Sequence, residues 1–287
     1  METTIAYMKP KTVKEALKFL QKHGGNAKII AGGTDLLNQI KKGAKTPAAL
    51  VNLKDVEELR GIAVTGKTVT IGALTTLFEI QNSEILAEHF PVLPYTASLM
   101  ASPQVRNVAT VGGNLANAAP SADMAPPLLV LAAKVEIHGP PKKRLIPLAD
   151  FFTGPGETVM TGENILTRIK IPLMPKGARC IYRVHTLREA MDISMVSVAA
   201  YIKGRRKVGK ARVALGAVAP VPMLVPEAAE VLEGQPFIPE RIIAAGVEAR
   251  EACKPIDDVR ASANYRRHIV EILTRRTLQE IADGATS

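Results

Sequence analysis

Two short stretches hold the residues best suited to chemistry. Residues 29–35 read IIAGGTD, and residues 110–114 read TVGGN. In each, a Gly-Gly pair follows an apolar, extended segment and has a hydroxyl beside it: Thr34 after Gly32 and Gly33, Thr110 before Gly112 and Gly113. Glycine reaches backbone conformations closed to other residues and has no Cβ to hold a ligand away. Successive N–H groups in such a turn form a concavity that favours an anion. A helix beginning just after the turn adds partial positive charge. Two such loops facing each other could hold a diphosphate without a lysine. Taken singly, each pair also reads as a plain turn, Asp35 as the N-cap of a helix over 36–42, and Asn114 as a turn residue.

Other site chemistries find little support. GIAVTGKT at 61–68 spells GxxxxGK[ST], but an alternating strand at 68–73 follows it and not the helix a P-loop opens, and nothing fits GxGxxG, so neither a P-loop nor a Rossmann NAD site is indicated. Cys180 and Cys253 lie far apart without a CxxC or a histidine partner, too few for a zinc or iron–sulfur site. They read better as free thiols than as a disulfide. No acid, base or nucleophile stands in a recognisable catalytic setting.

The elements that must position the loops are legible from periodicity. Residues 12–23 read as a helix, opened by a capping box TVKE and stopped by Gly24. A strand AKIIAG, the first glycine turn, a helix over 36–42 and a strand AALVNL make a β-α-β unit. TVTIGA at 68–73 reads as a strand. Residues 75–101 read as helix broken near Ser83 and Pro91, and SPQVRNVATVGGNLANAAPSADMAPP as a long structured loop too rich in Gly, Asn and Pro for helix. A helix around 125–132 and strands at 134–138 and 165–172 complete this part. After a linker at Pro172–Gly177 come three strands with short turns, then helices at 226–233, 239–252 and 262–282. Strands followed by helices predict an α+β domain with helices on one sheet face.

The chain has 287 residues, 47% apolar and 22% charged, enough for two domains with proper cores. No run approaches the ~18 apolar residues of a membrane span. The N-terminus lacks an apolar signal core, so a cytoplasmic protein is expected. The net charge of +10 raises nucleic acid as a partner. Against it, the basic residues are scattered in small groups, aromatics make up 4% and Trp is absent, so no base-stacking platform is supplied. The cations read as solvated faces or as a docking surface for an acidic protein.

Together AGGTDLL at 31–37, RNVATVGGNLANAAPSAD at 106–123 and REAMDISMVSVAA at 188–200 resemble the FAD-binding (medium) subunit of the molybdenum hydroxylases. That family includes the aerobic carbon monoxide dehydrogenase and xanthine dehydrogenase types, and the likeness covers nearly the whole chain in order. It implies an α+β fold: two α/β subdomains forming an FAD-binding domain of the vanillyl-alcohol-oxidase (PCMH-like) type, then a C-terminal domain with a three-stranded antiparallel sheet and helices. The implied boundaries are 1–175, with subdomains of about 1–58 and 59–175, and 176–287.

The resemblance further implies that FAD lies between the subdomains. Ile29, Ile30, Ala31, Gly32, Gly33, Thr34, Asp35 and Leu36 would line its diphosphate and adenosine side. Thr110, Gly112, Gly113 and Asn114 would close over it, and Asp123 would sit near the ribityl and flavin part. Met100 and Leu166 would contact the cofactor, although plain core packing explains both equally well. It implies no catalytic residue and no metal in this chain. Electrons would come from 2Fe–2S clusters of a small subunit, fed by a large subunit with the molybdenum cofactor, in a dimer of heterotrimers. They would leave to NAD or another acceptor. A free-standing FAD-dependent oxidoreductase of the same fold is the alternative reading. Two departures stand out: Ala119–Pro120 where the family often has Ser-Pro, and Val184 where some members carry a lysine near the flavin.

Overall fold

The computed structural model describes residues 5–284. Its first unit is a three-stranded parallel sheet in the order β1–β3–β2, from β1 (Ala6–Met8), β2 (Ala27–Ile30) and β3 (Ala49–Asn52). Helix α1 (Val13–Lys22) buries Val13, Ala16 and Leu20 on this sheet, and α2 (Leu36–Lys41) follows β2. Spacing three and four residues apart sets that apolar stripe. Its capping box is only half formed. Thr12 accepts from the Glu15 N–H at 3.2 Å, but the Glu15 carboxylate accepts from Lys11 N, one residue earlier than a box requires.

The second unit is a five-stranded antiparallel sheet in the order β4–β5–β10–β6–β7. Its strands are β4 (Ile62–Thr65), β5 (Thr68–Gly72), β6 (Lys134–His138), β7 (Arg144–Pro147) and β10 (Ile165–Pro172), with a small hairpin β8 (Phe152–Gly154) and β9 (Glu157–Thr158) between. Helices α3 (Leu77–Gln81), α4 (Glu84–His89), α5 (Val92–Leu99), α6 (Pro103–Arg106), α7 (Val111–Asn117) and α8 (Ala125–Val130) connect β5 to β6. They cover one sheet face over a core that includes Ile71, Phe90, Leu93, Leu115, Val135 and Ile169. The breaks expected at Ser83 and Pro91 are present.

The expectation of loop through 102–124 is overturned by α6 and α7. The reason is capping. Ser102 accepts from Val105 N at 3.3 Å with Pro103 in the first helical turn, and Thr110 accepts from Gly113 N at 3.0 Å. Caps outweigh poor propensity when the helix has only one or two turns. Conversely, Asp35 precedes α2 with helical φ and ψ and makes no side-chain cap hydrogen bond, so its expected capping role is not taken up.

The last unit is a meander of β11 (Ala178–His185), β12 (Val196–Lys203) and β13 (Lys210–Gly216), as expected, extended by a two-residue strand β14 (Met223–Leu224). Alternation sends Ile181, Val198, Ala200 and Val213 toward helices α9 (Pro226–Glu230), α10 (Pro239–Ala252) and α11 (Ala263–Asp283). It sends Cys180, Tyr182, Ala199 and Tyr201 into the core of the second unit. One sheet face therefore belongs to its own helices and the other to the neighbouring unit. Cys180 and Cys253 are buried free thiols, and burial pushes the Cys180 thiol up to about 12. Among the described residues no helix is long and apolar enough to cross a membrane.

Glu136 on β6 is 2% exposed and faces Lys170 Nζ at 2.8 Å, and Lys143 Nζ, Arg168 Nη1 and His138 Nε2 each at 3.1 Å. Burial alone would raise its pKa, but these hydrogen bonds hold the carboxyl far below the usual range. Because the folded pKa is depressed, the contribution to stability is complete above about pH 5 and is lost as pH falls below the ordinary carboxylate value of about 4.3. Removing one side of a buried ion pair costs ~3–5 kcal/mol. The three facing cations are between 33% and 57% exposed, so solvent screening lowers this figure to about 2 kcal/mol. Glu136→Gln is expected to lower unfolding free energy by about that amount at pH 7, and by progressively less as pH falls below 4. Denaturant titrations at several pH values measure it, and a loss that does not shrink in acid contradicts this assignment.

Candidate functional site

The two glycine loops touch. A Cβ built on Gly32 would lie 2.1 Å from the carbonyl oxygen of Val108 and 2.9 Å from Ala109 Cα, so the first loop rests directly on the backbone leading into the second. A Cβ on Gly113 would lie 3.9 Å from that of Ala31, an ordinary contact across the same junction. Gly33 follows with φ of +82°, in the left-handed region that glycine occupies without strain.

Each loop is held by a different means. The second is anchored to the five-stranded unit through its backbone: Val111 N donates to Thr75 O, Gly112 N to Ala73 O and Leu77 N to Ala109 O. Within the turn, Gly113 N donates to Thr110 Oγ1 and Asn114 N to Thr110 O. The first loop makes no such bonds. The N–H groups of Gly32, Gly33, Thr34 and Asp35 donate to no protein acceptor among the described residues. Four successive free donors in a turn, next to a glycine surface without a Cβ, suit the oxygens of a diphosphate. The second loop offers a different group, the buried Asn114 Oδ1, which has no hydrogen-bond partner. A buried polar atom without a partner is uncommon in a finished structure and fits a bound donor. The helices that follow have six and seven residues, so the donors themselves matter more than any macrodipole.

Asp123 stands in the turn between α7 and α8. Its Oδ1 accepts from the Tyr182 hydroxyl at 2.7 Å and from the Ser194 hydroxyl, both on the C-terminal unit. Burial raises the Asp123 carboxyl above its ordinary value while the two hydroxyls oppose that rise. Burial, and then the neighbouring Asp123 charge, push the Tyr182 phenol well up, so it remains a donor. This link between units was not legible from the sequence. Ser194 lies within the 188–200 stretch, but nothing there names its partner, and only the strand alternation at 180–184 hinted that residue 182 faces away from the C-terminal helices.

Met100 closes α5, is half-buried and packs on the second unit's core, and its carbonyl accepts from Arg106 Nη1 at 2.8 Å. Leu166 is buried in that same core while its neighbour Ile165 belongs to the first unit's core, so β10 runs along the seam between the two. Val184 is partly buried against the second unit's core and pairs with Ser197. Neighbouring cations are engaged elsewhere: Arg183 with Glu280 and over the Tyr95 ring at 5.3 Å, and Arg188 with Asp192 and the Met191 carbonyl. Among the described residues no group of three or more His, Cys, Asp or Glu side chains could hold a metal ion.

Residues 3–174 match the family described as FAD binding domain in molybdopterin dehydrogenase, and residues 181–281 match the CO dehydrogenase flavoprotein C-terminal domain. The chain is 32% identical to the xanthine dehydrogenase FAD-binding subunit of Escherichia coli O157:H7, over 98% of this chain and 97% of that one. It is also 32% identical to the carbon monoxide dehydrogenase medium chain of Hydrogenophaga pseudoflava, over 95% of each. In reconstituted CO dehydrogenase from Oligotropha carboxidovorans, a chain superimposes with a TM-score of 0.95 at 31% identity, covering 99% of this chain and all of that one.

The loop contact generates a stability prediction. Gly32→Ala must displace the Val108 carbonyl, and overpacking of this kind costs ~1–3 kcal/mol. Gly43→Ala adds a Cβ into open space at a φ of +70° and reports the cost of backbone strain alone, which Gly32, outside the left-handed region, does not carry. Gly32→Ala is expected to lower the thermal midpoint clearly more than Gly43→Ala, as read by calorimetry.

Proposed function

The chain belongs to the FAD-binding subunits of the molybdenum hydroxylases, of the carbon monoxide and xanthine dehydrogenase type, and from that membership we propose how its own residues hold FAD and hand electrons on. The observation that carries the proposal is the run of free N–H groups from Gly32 to Asp35, laid against the second glycine loop. In this reading those donors bind the diphosphate. Ile29, Ile30, Ala31 and Leu36 shape the adenosine side, and Thr110, Gly112, Gly113 and Asn114 close over the anion. Asp123 fixes the ribityl and flavin end, itself held in place by Tyr182 and Ser194. Met100 and Leu166 serve as apolar walls.

FAD, when bound, supplies a redox group that can take electrons singly and release them in pairs. The chain's tasks are then to orient that group, set its potential and leave one edge reachable. None of these needs an acid, a base or a nucleophile, in keeping with a site made of amides, glycines and one carboxylate. Under this proposal, substrate chemistry occurs on a large subunit with the molybdenum cofactor. Electrons arrive through 2Fe–2S clusters of a small subunit and leave to NAD or another acceptor. The assembly is a cytoplasmic dimer of heterotrimers. The proposed domains are 1–175, divided near 58, and 176–287.

An absorbance spectrum after adding FAD and desalting tests the cofactor part. Retained bands near ~375 and ~450 nm, lost when Thr34 and Asn114 are both replaced by bulkier leucine, are expected. If neither the chain nor its co-expressed complex retains the bands, the assignment of the two loops fails. A second prediction concerns Val184. A cation there would favour the anionic reduced form of the cofactor. Val184→Lys is therefore expected to raise the midpoint potential of bound FAD in a spectroelectrochemical titration, and an equal or lower midpoint refutes the role given to this position.

A further inference from the structure

Helices cover one face of the five-stranded sheet; residues 58–60 lie on the other only at its Gly72 and Arg168 end and leave the rest open. Register places Arg168 opposite Glu136, Lys170 opposite Lys134, and Leu145 opposite Glu136, so these side chains share the open face. Lys143, just before β7, reaches the same carboxylate at 3.1 Å. Three fixed cations thus stand around a single acid, with Lys134 beside them on the same face.

That ratio is the informative feature. One cation suffices to pair a buried carboxylate, whereas here Lys143, Arg168 and Lys170 all point at Glu136 and remain 57%, 35% and 33% exposed. An ammonium carries three donors and a guanidinium five. Each lysine gives Glu136 one contact, and Arg168 adds only a 3.4 Å bond to the Glu58 carbonyl. Most donors of the array therefore face outward. Glu136 acts as a buried post that holds the cationic heads in a fixed arrangement, which lowers the ordering cost of binding an anion.

The type of partner follows from charge and shape. A second copy of this chain would bring two cationic arrays together. Nucleic acid would gain no stacking, since the face carries no aromatic side chain among the residues named and the chain has no Trp. A polypeptide with acidic side chains matches the array, and Leu145, 47% exposed at its edge, offers an apolar anchor. We propose that this open face docks an acidic segment of another protein chain, which, resting on the subunit role proposed above, is one of the two partner subunits.

Two measurements test the proposal. The first titrates the full FAD-loaded chain with poly-L-glutamate and, in parallel, with single-stranded oligo-dT. Lys143→Gln/Lys170→Gln is compared with Lys203→Gln/Lys254→Gln, which removes the same charge from the C-terminal unit. Poly-glutamate affinity at 0.05 M NaCl is expected to fall about tenfold in the first variant and under threefold in the second, in line with charge-pair binding. Equal losses overturn the proposal, as does a site-dependent loss seen with oligo-dT alone. If the double variant does not fold, Lys134→Glu, which does not touch Glu136, is expected to give a loss of threefold or more.

The second measurement co-expresses the chain with its partner subunits and follows dissociation by ultracentrifugation. Complexes of Lys143→Gln/Lys170→Gln are expected to dissociate at about tenfold higher concentration than wild type at 0.15 M NaCl, with the gap closing at high salt. Unchanged dissociation overturns the docking role. If wild type gathers no partner, the subunit reading falls by itself, and the poly-glutamate comparison still decides the surface.

Discussion

The contact of Gly32 with the Val108 carbonyl is the constraint on which the arrangement rests. A side chain at position 32 would hold two backbones apart, and every distance between the first parallel unit and the helices of the second would change. Because the approach is backbone to backbone, it leaves no room for repacking by rotamer. The second loop is the fixed partner: Gly112 packs on Ala73, where a Cβ would lie 2.5 Å from the carbonyl oxygen, and three backbone hydrogen bonds tie residues 109–112 to the segment after β5. The first loop then leans on this carbonyl with the Cα of Gly32 and not with an N–H, and the N–H groups of Gly32 to Asp35 find no protein acceptor among the described residues.

This produces a division of labour between two loops that look alike in sequence. Both have a Gly-Gly pair and a threonine. In one, the threonine follows the glycines and the amides are left without partners. In the other, Thr110 precedes them, caps a helix and takes up the Gly113 N–H, while Asn114 N bonds back to the Thr110 carbonyl. The hydroxyl's place relative to the glycines decides which loop offers donors and which offers a close-fitting wall. The third fixed point, Asp123, belongs to the same unit as the wall but is gripped by Tyr182 and Ser194 of the next one. A displacement of the C-terminal sheet is therefore felt at Asp123, whose buried carboxyl would otherwise lack donors.

Much of this was readable beforehand, and the exceptions have physical causes. The long strands at 134–138 and 165–172 and the helix at 239–252 announce themselves by period and end where the sequence implies. The helix at 111–117 does not, because its signal is a threonine cap ahead of two glycines, and composition there argues for loop. The strand at 223–224 is too short to show alternation and exists only because β13 presents an edge. Asp123, Tyr182 and Ser194 are distant in sequence and meet by tertiary packing alone. The same holds for Glu136: KVEIH shows a strand with a charged residue in it, but nothing local says that residues 143, 168 and 170 converge there. Met100 and Leu166 illustrate the opposite case. Their core packing is plain in the structure, and a hydrophobic wall of a cofactor site would look the same.

The electrostatics of the chain fit a protein whose chemistry is carried by a cofactor and by other chains. A site for proton transfer would need titratable groups tuned against each other. Here the strongly perturbed carboxylates do other work. Glu136, held ionised by three cations and a histidine hydrogen bond, lies on the open sheet face, where it shapes a surface. Asp123, raised by burial and answered by two hydroxyls, lies at the junction of units, where it ties the second unit to the C-terminal one. Asp123 meets two hydroxyl donors, and Glu136 meets His138 only within an ion cluster that also holds Lys143, Arg168 and Lys170. Positive charge gathered on one face and uncharged amide donors gathered in one turn are separate devices. The first can hold a macromolecule from outside, and the second can hold an anion within. A binding subunit uses both, one built from surface side chains and the other from backbone geometry.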